Sequence, residues 1–269
     1  MMDGRNVHTV QTHLTGVRIW SEVPVIRKAV RDQHTQVESL LAGLGSDQRA
    51  AYYQLCDCRH TDGPVSARGI FLSNNYGLGN PASQAGVFLT ISRFNHSCSP
   101  NCTHVWDPQE GIQHVRVGRD VKCGEELTLS YLRHQAMGWD ARQEILSVVY
   151  NFTCSCEACK LTGLEREASD RRRTRVGVLT DGMQRAFDTR QFRKALQMAE
   201  EHLRLLVEEG VALPRFVHAV QEDAYQACRN ASRHGEARVW LARAHGTAVL
   251  ADGADSRAAQ QIARLLALS

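Results

Sequence analysis

The sequence lacks the features of membrane-spanning, secreted and nucleic-acid-binding proteins. No apolar run approaches the roughly 20 residues that span a bilayer. The first twenty residues do not form a signal peptide, because they are interrupted by Arg5, His8, Gln11, His13 and Arg18. The formal net charge of +3 over 269 residues is close to neutral, which does not favour nucleic-acid binding. We expect a soluble protein of the cytoplasm or nucleus, without membrane or nucleic-acid partners.

The chain does contain enough apolar residues for a full core, and its cysteines are unevenly placed. Hydrophobic residues make up 43% of the sequence, which suits one large domain or two modest ones. Three of the nine cysteines lie between Cys154 and Cys159 in a C-x-C-x2-C pattern. This spacing is too tight for disulfides between neighbours, so it predicts a metal site.

Periodicity predicts a first half of short strands and helices. Residues 16–26 are rich in β-formers and predict a strand pair. Residues 37–58 have apolar positions at helical spacing, with Ser46 and Asp47 as an N-cap between two helices. Residues 105–117 alternate like a hairpin, and residues 127–132 form another strand.

The second half differs in composition. Residues 161–180 hold a charged run with Arg171-Arg172-Arg173, which predicts a solvated linker. Residues 181–269 are helical, with short breaks that favour antiparallel helical hairpins resembling a tetratricopeptide array. We expect a separate layer beside the substrate cleft, whose removal after about Thr180 leaves metal binding intact.

Three motifs occur in a fixed order: Asn95-His96-Ser97-Cys98-Ser99-Pro100-Asn101, then Gly124 to Tyr131, then Tyr150 to Cys159. Together they resemble the C-terminal half of a SET domain, the catalytic module of protein lysine methyltransferases. The trailing cysteines and helices are most similar to the SET- and MYND-domain family and its fungal relatives, although no MYND finger is present. The resemblance implies an α+β fold, a mostly-β SET (β-clip) domain with a helical insert, followed by an α-helical region.

The resemblance also implies domain boundaries. The SET domain would occupy residues 1–133, with its helical insert at about 29–75. A post-SET zinc-binding segment would follow at 134–160, before the charged linker and the helical region.

Roles in the active site come from the same resemblance. Tyr131 occupies the position of the catalytic tyrosine, and Tyr150 the wall of the lysine channel. The implied cofactor is S-adenosylmethionine, and its implied contacts are Asn74, Asn95, His96 and Phe152, with Phe152 stacked on the adenine. In extended chain, Tyr150 and Phe152 would share a face. The alternatives are an Asn-His-Ser turn, an ordinary strand tyrosine at Tyr131, and, without the resemblance, core positions for Tyr150 and Phe152.

The resemblance implies a complete zinc site. Cys154, Cys156 and Cys159 offer three thiolates, and tetrahedral zinc requires a fourth ligand. The family pattern places Cys98 in that position, with Cys102 as the competitor. Zinc would then hold Phe152 over the cofactor.

Two further motifs do not predict a functional site. Cys56-x-Cys58-x-His60 has ligand-like spacing but no fourth partner, so we expect reduced thiols. Gly77-Leu78-Gly79 precedes Asn80-Pro81 rather than a helix, which predicts a loop.

The sequence departs from the family at Gly4-Arg5-Asn6, where relatives carry a G-x-G cofactor loop. Either this loop has changed or the chain begins later than its relatives do. The expected function is S-adenosylmethionine-dependent methylation of a lysine-containing protein, histone or non-histone. The alternative is a catalytically weak or inactive SET-like interaction module held together by zinc.

Overall fold

The computed structural model describes residues 7–9, 11–31, 36–59, 64–79, 82–132 and 136–268. The strands within these ranges are β1 (Arg18–Glu22), β2 (Ile26–Ala29), β3 (Asn75–Gly79), β4 (Ala82–Val87), β5 (Asn95–His96), β6 (Cys102–Asp107), β7 (Ile112–Val117) and β8 (Thr128–Leu129). The helices are α1 (Val37–Ala42), α2 (Ser46–Tyr53), α3 (Ala67–Asn74), α4 (Trp139–Tyr150), α5 (Glu157–Lys160), α6 (Gly163–Asp188), α7 (Phe192–Glu208), α8 (Pro214–Asn230), α9 (His234–Asp252) and α10 (Arg257–Leu268). A short 3-10 helix covers Ile91–Arg93. The α+β class with a helical C-terminal region is confirmed.

The strands form three small sheets. Two are antiparallel, in the orders β1-β7-β6 and β2-β4-β3, and the third is the parallel pair β5-β8. The predicted hairpin is β6 and β7, with Gly111 at φ +70° in its turn. The predicted strand pair at residues 16–26 is wrong in its pairing, because β1 pairs with β7 and β2 with β4. The three-residue link between them contains Pro24, whose fixed φ favours extended chain at this point.

The helical insert lies between β2 and β3. Helices α1, α2 and α3 pack around buried apolar side chains, including Leu41, Tyr52 and Ile70. The predicted N-cap is displaced by one residue: Gly45 caps α2, and Ser46 is the first helical residue.

The Gly77-Leu78-Gly79 motif lies in a strand and not in a loop. Gly77 pairs with Ala85 of β4, and a Cβ at Gly77 would lie 3.0 Å from the Cβ of Ala82. The absence of a side chain therefore allows the two strands to approach closely.

Residues 161–180 are not a linker, because helix α6 begins at Gly163 and continues to Asp188. Three arginines of this run are held in ion pairs with α7 and its C-cap: Arg172 and Arg173 with Glu209, and Arg175 with Glu201. Such pairing allows a highly charged segment to pack as a helix.

Helices α6 to α10 pack each against the next and share one apolar core. This arrangement agrees with the predicted antiparallel hairpins. Across the described part of the chain, no helix combines the length and apolar character needed to cross a membrane.

Candidate active site and metal centre

The parallel pairing of β5 with β8 brings two of the sequence motifs together. Asn95 lies opposite Thr128 and His96 opposite Leu129. The backbone N–H of Tyr131 donates to Nδ1 of His96 at 3.0 Å, so the ring proton is on Nε2, which lies 3.2 Å from the sulfur of Cys98. Burial lowers the pKa of His96 to about 4, so the ring is neutral. His96 thus connects Tyr131 to Cys98.

Asn101 fixes the same two segments from the other end of its motif. Its Nδ2 donates to the carbonyl oxygen of Glu126 at 2.8 Å, and its Oδ1 accepts from the backbone N–H of Thr128 at 2.8 Å. The residue is buried. In the sequence Asn101 is only one residue of a motif, whereas in the structure it holds the strand that leads to Tyr131.

Tyr131 lies at the centre of an aromatic cluster. Its ring centroid is 5.3 Å from that of His96, 5.0 Å from Tyr150 and 6.4 Å from Phe152. The hydroxyl donates to the carbonyl oxygen of Phe94 at 2.8 Å. Burial, reinforced by Tyr150, raises the pKa of Tyr131, so the phenol is neutral. Since its proton is directed at Phe94, the hydroxyl oxygen is left to accept contacts from a neighbouring group.

Tyr150 and Phe152 reach this cluster from a helix end and not from extended chain. Tyr150 is the last residue of α4, and Asn151 follows in the left-handed conformation at φ 56° and ψ 40°. The expectation of extended chain here is wrong, because α4 continues to Tyr150 and the chain reverses at Asn151. Both rings nevertheless face Tyr131.

A groove of about 720 Å³ lies beside Tyr131, between the SET-like part and helix α8. Its walls include residues from α3, β3, β6, the segment after β8 and α8, among them Asn74, Tyr76, Trp106, Ser130, Tyr131, Tyr150, Arg215 and Phe216. His96 and Phe152 contact Tyr131 but do not line the groove. Tyr131 therefore contacts both the groove and the rings of His96 and Phe152.

Of the two predicted asparagines, Asn74 lines the groove and Asn95 does not. Asn74 lines the groove, and its Nδ2 donates to the carbonyl oxygens of Cys56 at 2.6 Å and Ile70 at 2.7 Å. Asn95 lies next to His96, and its Nδ2 donates to Glu126 at 2.7 Å. Glu126 was not identified from the sequence, although it lies inside the second motif.

The structure brings four cysteines together: the sulfurs of Cys98, Cys154, Cys156 and Cys159 all lie within 4.8 Å of one another. The backbone N–H of Cys98 donates to the sulfur of Cys156 at 3.4 Å. Cys102 lies apart, in β6 and in a different apolar cluster. The geometry therefore favours Cys98 over Cys102 as the fourth sulfur.

The chemistry of this group suits a soft cation. Contact among the sulfurs lowers the pKa of Cys156 while it raises that of Cys98, so four thiolates require a positive charge between them. Four sulfur donors at this separation are a typical tetrahedral zinc set. The side chain of Gln143 fixes Cys154 by two hydrogen bonds, one accepted from its N–H and one donated to its carbonyl oxygen.

Two buried arginines contact the cysteines, Arg142 at the Cys159 sulfur and Arg173 at the Cys98 carbonyl oxygen, and neither was identified from the sequence. Arg142 and Arg173 are each 1% exposed. Burial works to lower the pKa of Arg142, but the Cys98 and Cys159 sulfurs outweigh it and raise the pKa. For Arg173 a signal was present, because it lies four residues after Ser169 and three before Val176, all on one buried helical face.

Cys56 and Cys58 are free thiols outside this group. Cys56 is exposed, and Cys58 is buried with its sulfur 2.9 Å from the hydroxyl of Ser73. His60 and the Gly4-Arg5-Asn6 segment lie outside the described residues.

Comparison with known proteins agrees with this geometry. Residues 4–132 match the family model of the SET domain. The chain therefore contains a SET domain, related to those of the SET5 and SMYD proteins.

Three relatives illustrate the relationship. The histone-lysine N-methyltransferase set5 of Schizosaccharomyces pombe is 32% identical over 162 residues, which is 60% of this chain and 49% of that protein. SMYD3 of Homo sapiens, also named a histone-lysine N-methyltransferase, is 35% identical over 92 residues, covering 33% of this chain and 21% of that protein. ATXR4 of Arabidopsis thaliana, with the same activity in its name, is 37% identical over 84 residues, which is 31% of this chain and 25% of that protein. The chain thus spans about half or less of these relatives.

Proposed function

We propose that this protein is an S-adenosylmethionine-dependent protein lysine N-methyltransferase. The observation that supports this most is the position of Tyr131. It is a neutral phenol that lines the groove together with Tyr150 and contacts His96 and Phe152 away from it. This arrangement suits a reaction in which two molecules meet from opposite sides.

When bound, S-adenosylmethionine supplies an electrophilic methyl group on a sulfonium sulfur. Asn95, His96 and Phe152 would hold it on their side of Tyr131, since Phe152 offers a partly exposed ring for stacking. Asn74 is a weaker candidate for direct contact, because its amide N–H groups already donate to Cys56 and Ile70.

The groove side would receive the lysine. A free lysine side chain has a pKa of about 10.4, and transfer to an aromatic channel lowers that pKa and favours the neutral amine. The Tyr131 oxygen would orient the amine by accepting one of its N–H groups, while Tyr150 restricts the channel. The cofactor would supply the methyl group and its sulfur would keep the bonding electron pair, while Tyr131 and Tyr150 would hold the amine after its proton has passed to water.

The four cysteines would hold one zinc ion with a structural role. With four protein ligands the ion has no open position, so it takes no part in the transfer. It would fix the segment that carries Phe152 against the segment that carries His96, because Cys98 and Cys154 each lie two residues from these side chains.

The substrate is proposed to be a lysine-containing protein segment that enters beside α8. The relatives are named histone-lysine N-methyltransferases, so histones are the first substrates to test.

The test is transfer of a labelled methyl group from S-adenosylmethionine to histones and to a panel of other proteins. Tyr131→Phe removes the oxygen that orients the amine, so we expect transfer to fall by about 100-fold or more. Tyr225→Phe is the control, because its hydroxyl lies on α8 and accepts a hydrogen bond from Arg229. Equal transfer by wild type and Tyr131→Phe would refute the assigned role of Tyr131.

The alternative of an inactive interaction module depends on Gly4-Arg5-Asn6, which lies outside the described residues. Calorimetry with S-adenosylmethionine separates the two functions. Micromolar binding supports the enzyme. Absence of binding by a protein that retains one zinc per chain supports the module.

A further inference from the structure

The proposed zinc centre has an unbalanced charge. A zinc ion with four thiolates carries a formal charge of about −2. Of the four cysteines, Cys98, Cys154 and Cys159 are buried, and Cys156 is partly buried. A buried anion is unfavourable unless positive groups or hydrogen-bond donors surround it.

Arg142 approaches the sulfurs from helix α4. Its Nη1 donates to the carbonyl oxygen of Met137 at 2.6 Å, and its Nη2 lies 4.0 Å from the sulfur of Cys159. A carboxylate oxygen of Asp170 lies 3.9 Å from Nη1. That oxygen accepts a closer hydrogen bond, at 2.7 Å, from the backbone N–H of Trp139. The carbonyl oxygen of Met137, which precedes α4, therefore fixes the guanidinium beside Cys159.

Arg173, from helix α6, approaches the centre at Cys98. Its Nη2 donates to the carbonyl oxygen of Cys98 at 3.0 Å, and its Nε donates to Glu209 at 2.7 Å. Glu209, 4% exposed, also accepts from Arg172 at 2.8 Å and from the hydroxyl of Ser169. The carboxylate thus holds Arg173 in place from the end of α7.

We propose that Arg142 and Arg173 are the counter-charges of the cysteine centre and determine how tightly it holds zinc. This inference depends on the proposed zinc site and adds to it two positioning residues and a contribution from the C-terminal helices. Arg173 belongs to the first of those helices, so the centre is completed by a part of the chain that follows its last cysteine.

A packing role and a charge role can be separated. The zinc dissociation constant compares zinc-loaded with zinc-free protein, so packing losses common to both states cancel. A guanidinium that acts as counter-charge is favourable beside the zinc-thiolate anion and unfavourable beside neutral thiols. Its loss must therefore weaken zinc binding itself.

The experiment measures zinc affinity by competition with a chromogenic chelator. For Arg142→Gln and Arg173→Gln, made separately, we expect affinity to fall about 10- to 100-fold, as for other outer partners of metal ligands. Arg173→Lys retains the charge and should fall less than Arg173→Gln. Arg142 and Arg173 lie on different helices and are changed separately. If one variant fails to fold, the zinc affinity of the other still tests the proposal.

Arg175→Gln is the matched control. Arg175 lies two residues further along α6 and pairs with Glu201 of α7 at 2.7 Å, but it is 46% exposed and does not contact the cysteine segment. We expect this variant to bind zinc like the wild type.

The outcomes are distinct. Zinc affinity of both glutamine variants equal to that of Arg175→Gln would overturn the counter-charge role. Equal losses in Arg173→Lys and Arg173→Gln would overturn the role of charge at Arg173. A wild-type protein without zinc would instead overturn the proposed zinc centre itself.

Discussion

At the scale of single residues, His96 joins the two parts of the site. One ring nitrogen accepts a hydrogen bond from the backbone of Tyr131, and the other faces the sulfur of Cys98. Phe152, which lies 6.1 Å from His96 between ring centroids, precedes Cys154 by two residues. A change at the sulfurs should therefore alter the positions of two side chains that we propose bind the cofactor.

Removal of zinc should consequently weaken cofactor binding. We expect zinc-stripped protein to bind S-adenosylmethionine about 10-fold more weakly or worse, because His96 and Phe152 lose their fixed positions. By linkage, bound cofactor should slow zinc loss to a chelator. Calorimetry and chelator kinetics measure both effects.

Two cysteine variants complete this test. Cys156→Ser should behave like stripped protein, whereas Cys228→Ser, which changes a buried cysteine of α8, should bind both ligands normally. If stripped protein bound the cofactor with unchanged affinity, the coupling would be refuted. Full zinc content in Cys98→Ser would remove Cys98 from the ligand set.

At the scale of elements, the end of helix α4 decides where the aromatic residues lie. Asn151 has a left-handed conformation, its N–H donates to the carbonyl oxygen of Ser147 at 3.0 Å, and the N–H of Phe152 donates to Leu146 at 3.3 Å. The chain thus turns at Asn151 from helix α4 into the segment that carries Cys154, Cys156 and Cys159. Asparagine and glycine tolerate this conformation better than other residues do.

Substitution at Asn151 should follow that preference. Asn151→Val places a β-branched residue at positive φ and should lower the free energy of unfolding by about 1–2 kcal/mol. Asn151→Gly fits the same conformation and is the control, with a change within about 0.5 kcal/mol. Denaturant unfolding of zinc-loaded protein measures both, and equal stability of the two variants would contradict the argument.

At the scale of the whole molecule, specific side-chain contacts join the helical region to the SET domain and to the segment that follows it. From helix α6, Arg173 donates to the carbonyl oxygen of Cys98, and Asp170 accepts from the backbone N–H of Trp139 at the start of α4. Arg166 of the same helix lies 4.2 Å from the ring centroid of Trp139. Helix α8 contributes Arg215 and Phe216 to the groove. These contacts favour a shared structure over the separable layer expected from the sequence.

Truncation after Thr180 should therefore impair zinc binding, contrary to that expectation. The cut lies inside α6, exposes its buried Val176 and Leu179, and removes Glu209 from Arg173. We expect less than one zinc per chain and loss of cooperative unfolding, measured by elemental analysis and circular dichroism.

Truncation after Ser256 is the control for this loss. It removes only α10, which packs against α9, so zinc content should be unchanged. A chain ending at Thr180 that kept one zinc and unfolded cooperatively would show that the SET domain and its cysteines are independent of the helices.

The sequence by itself determined the features that depend on local spacing. The C-x-C-x2-C pattern, the Asn95-His96 motif and Tyr131 lie in short segments, so each can be identified from neighbouring residues alone. Helical periodicity likewise predicted α1, α2 and the helices after α6, because apolar faces repeat within each helix. The SET resemblance then ordered these segments and named Cys98 as their partner.

Only the tertiary structure decided which distant residues meet. The pairing of β1 with β7, the contacts of Asn101 with Glu126 and Thr128, and the approach of Arg173 to Cys98 join positions that no local pattern connects. Charge misled at Arg173, because an arginine in a charged run is usually solvated, and here Glu209 and the Cys98 carbonyl replace water around it. The Arg173–Glu209 pair spans 36 residues of sequence, and folding of α6 against α7 brings its two charges together.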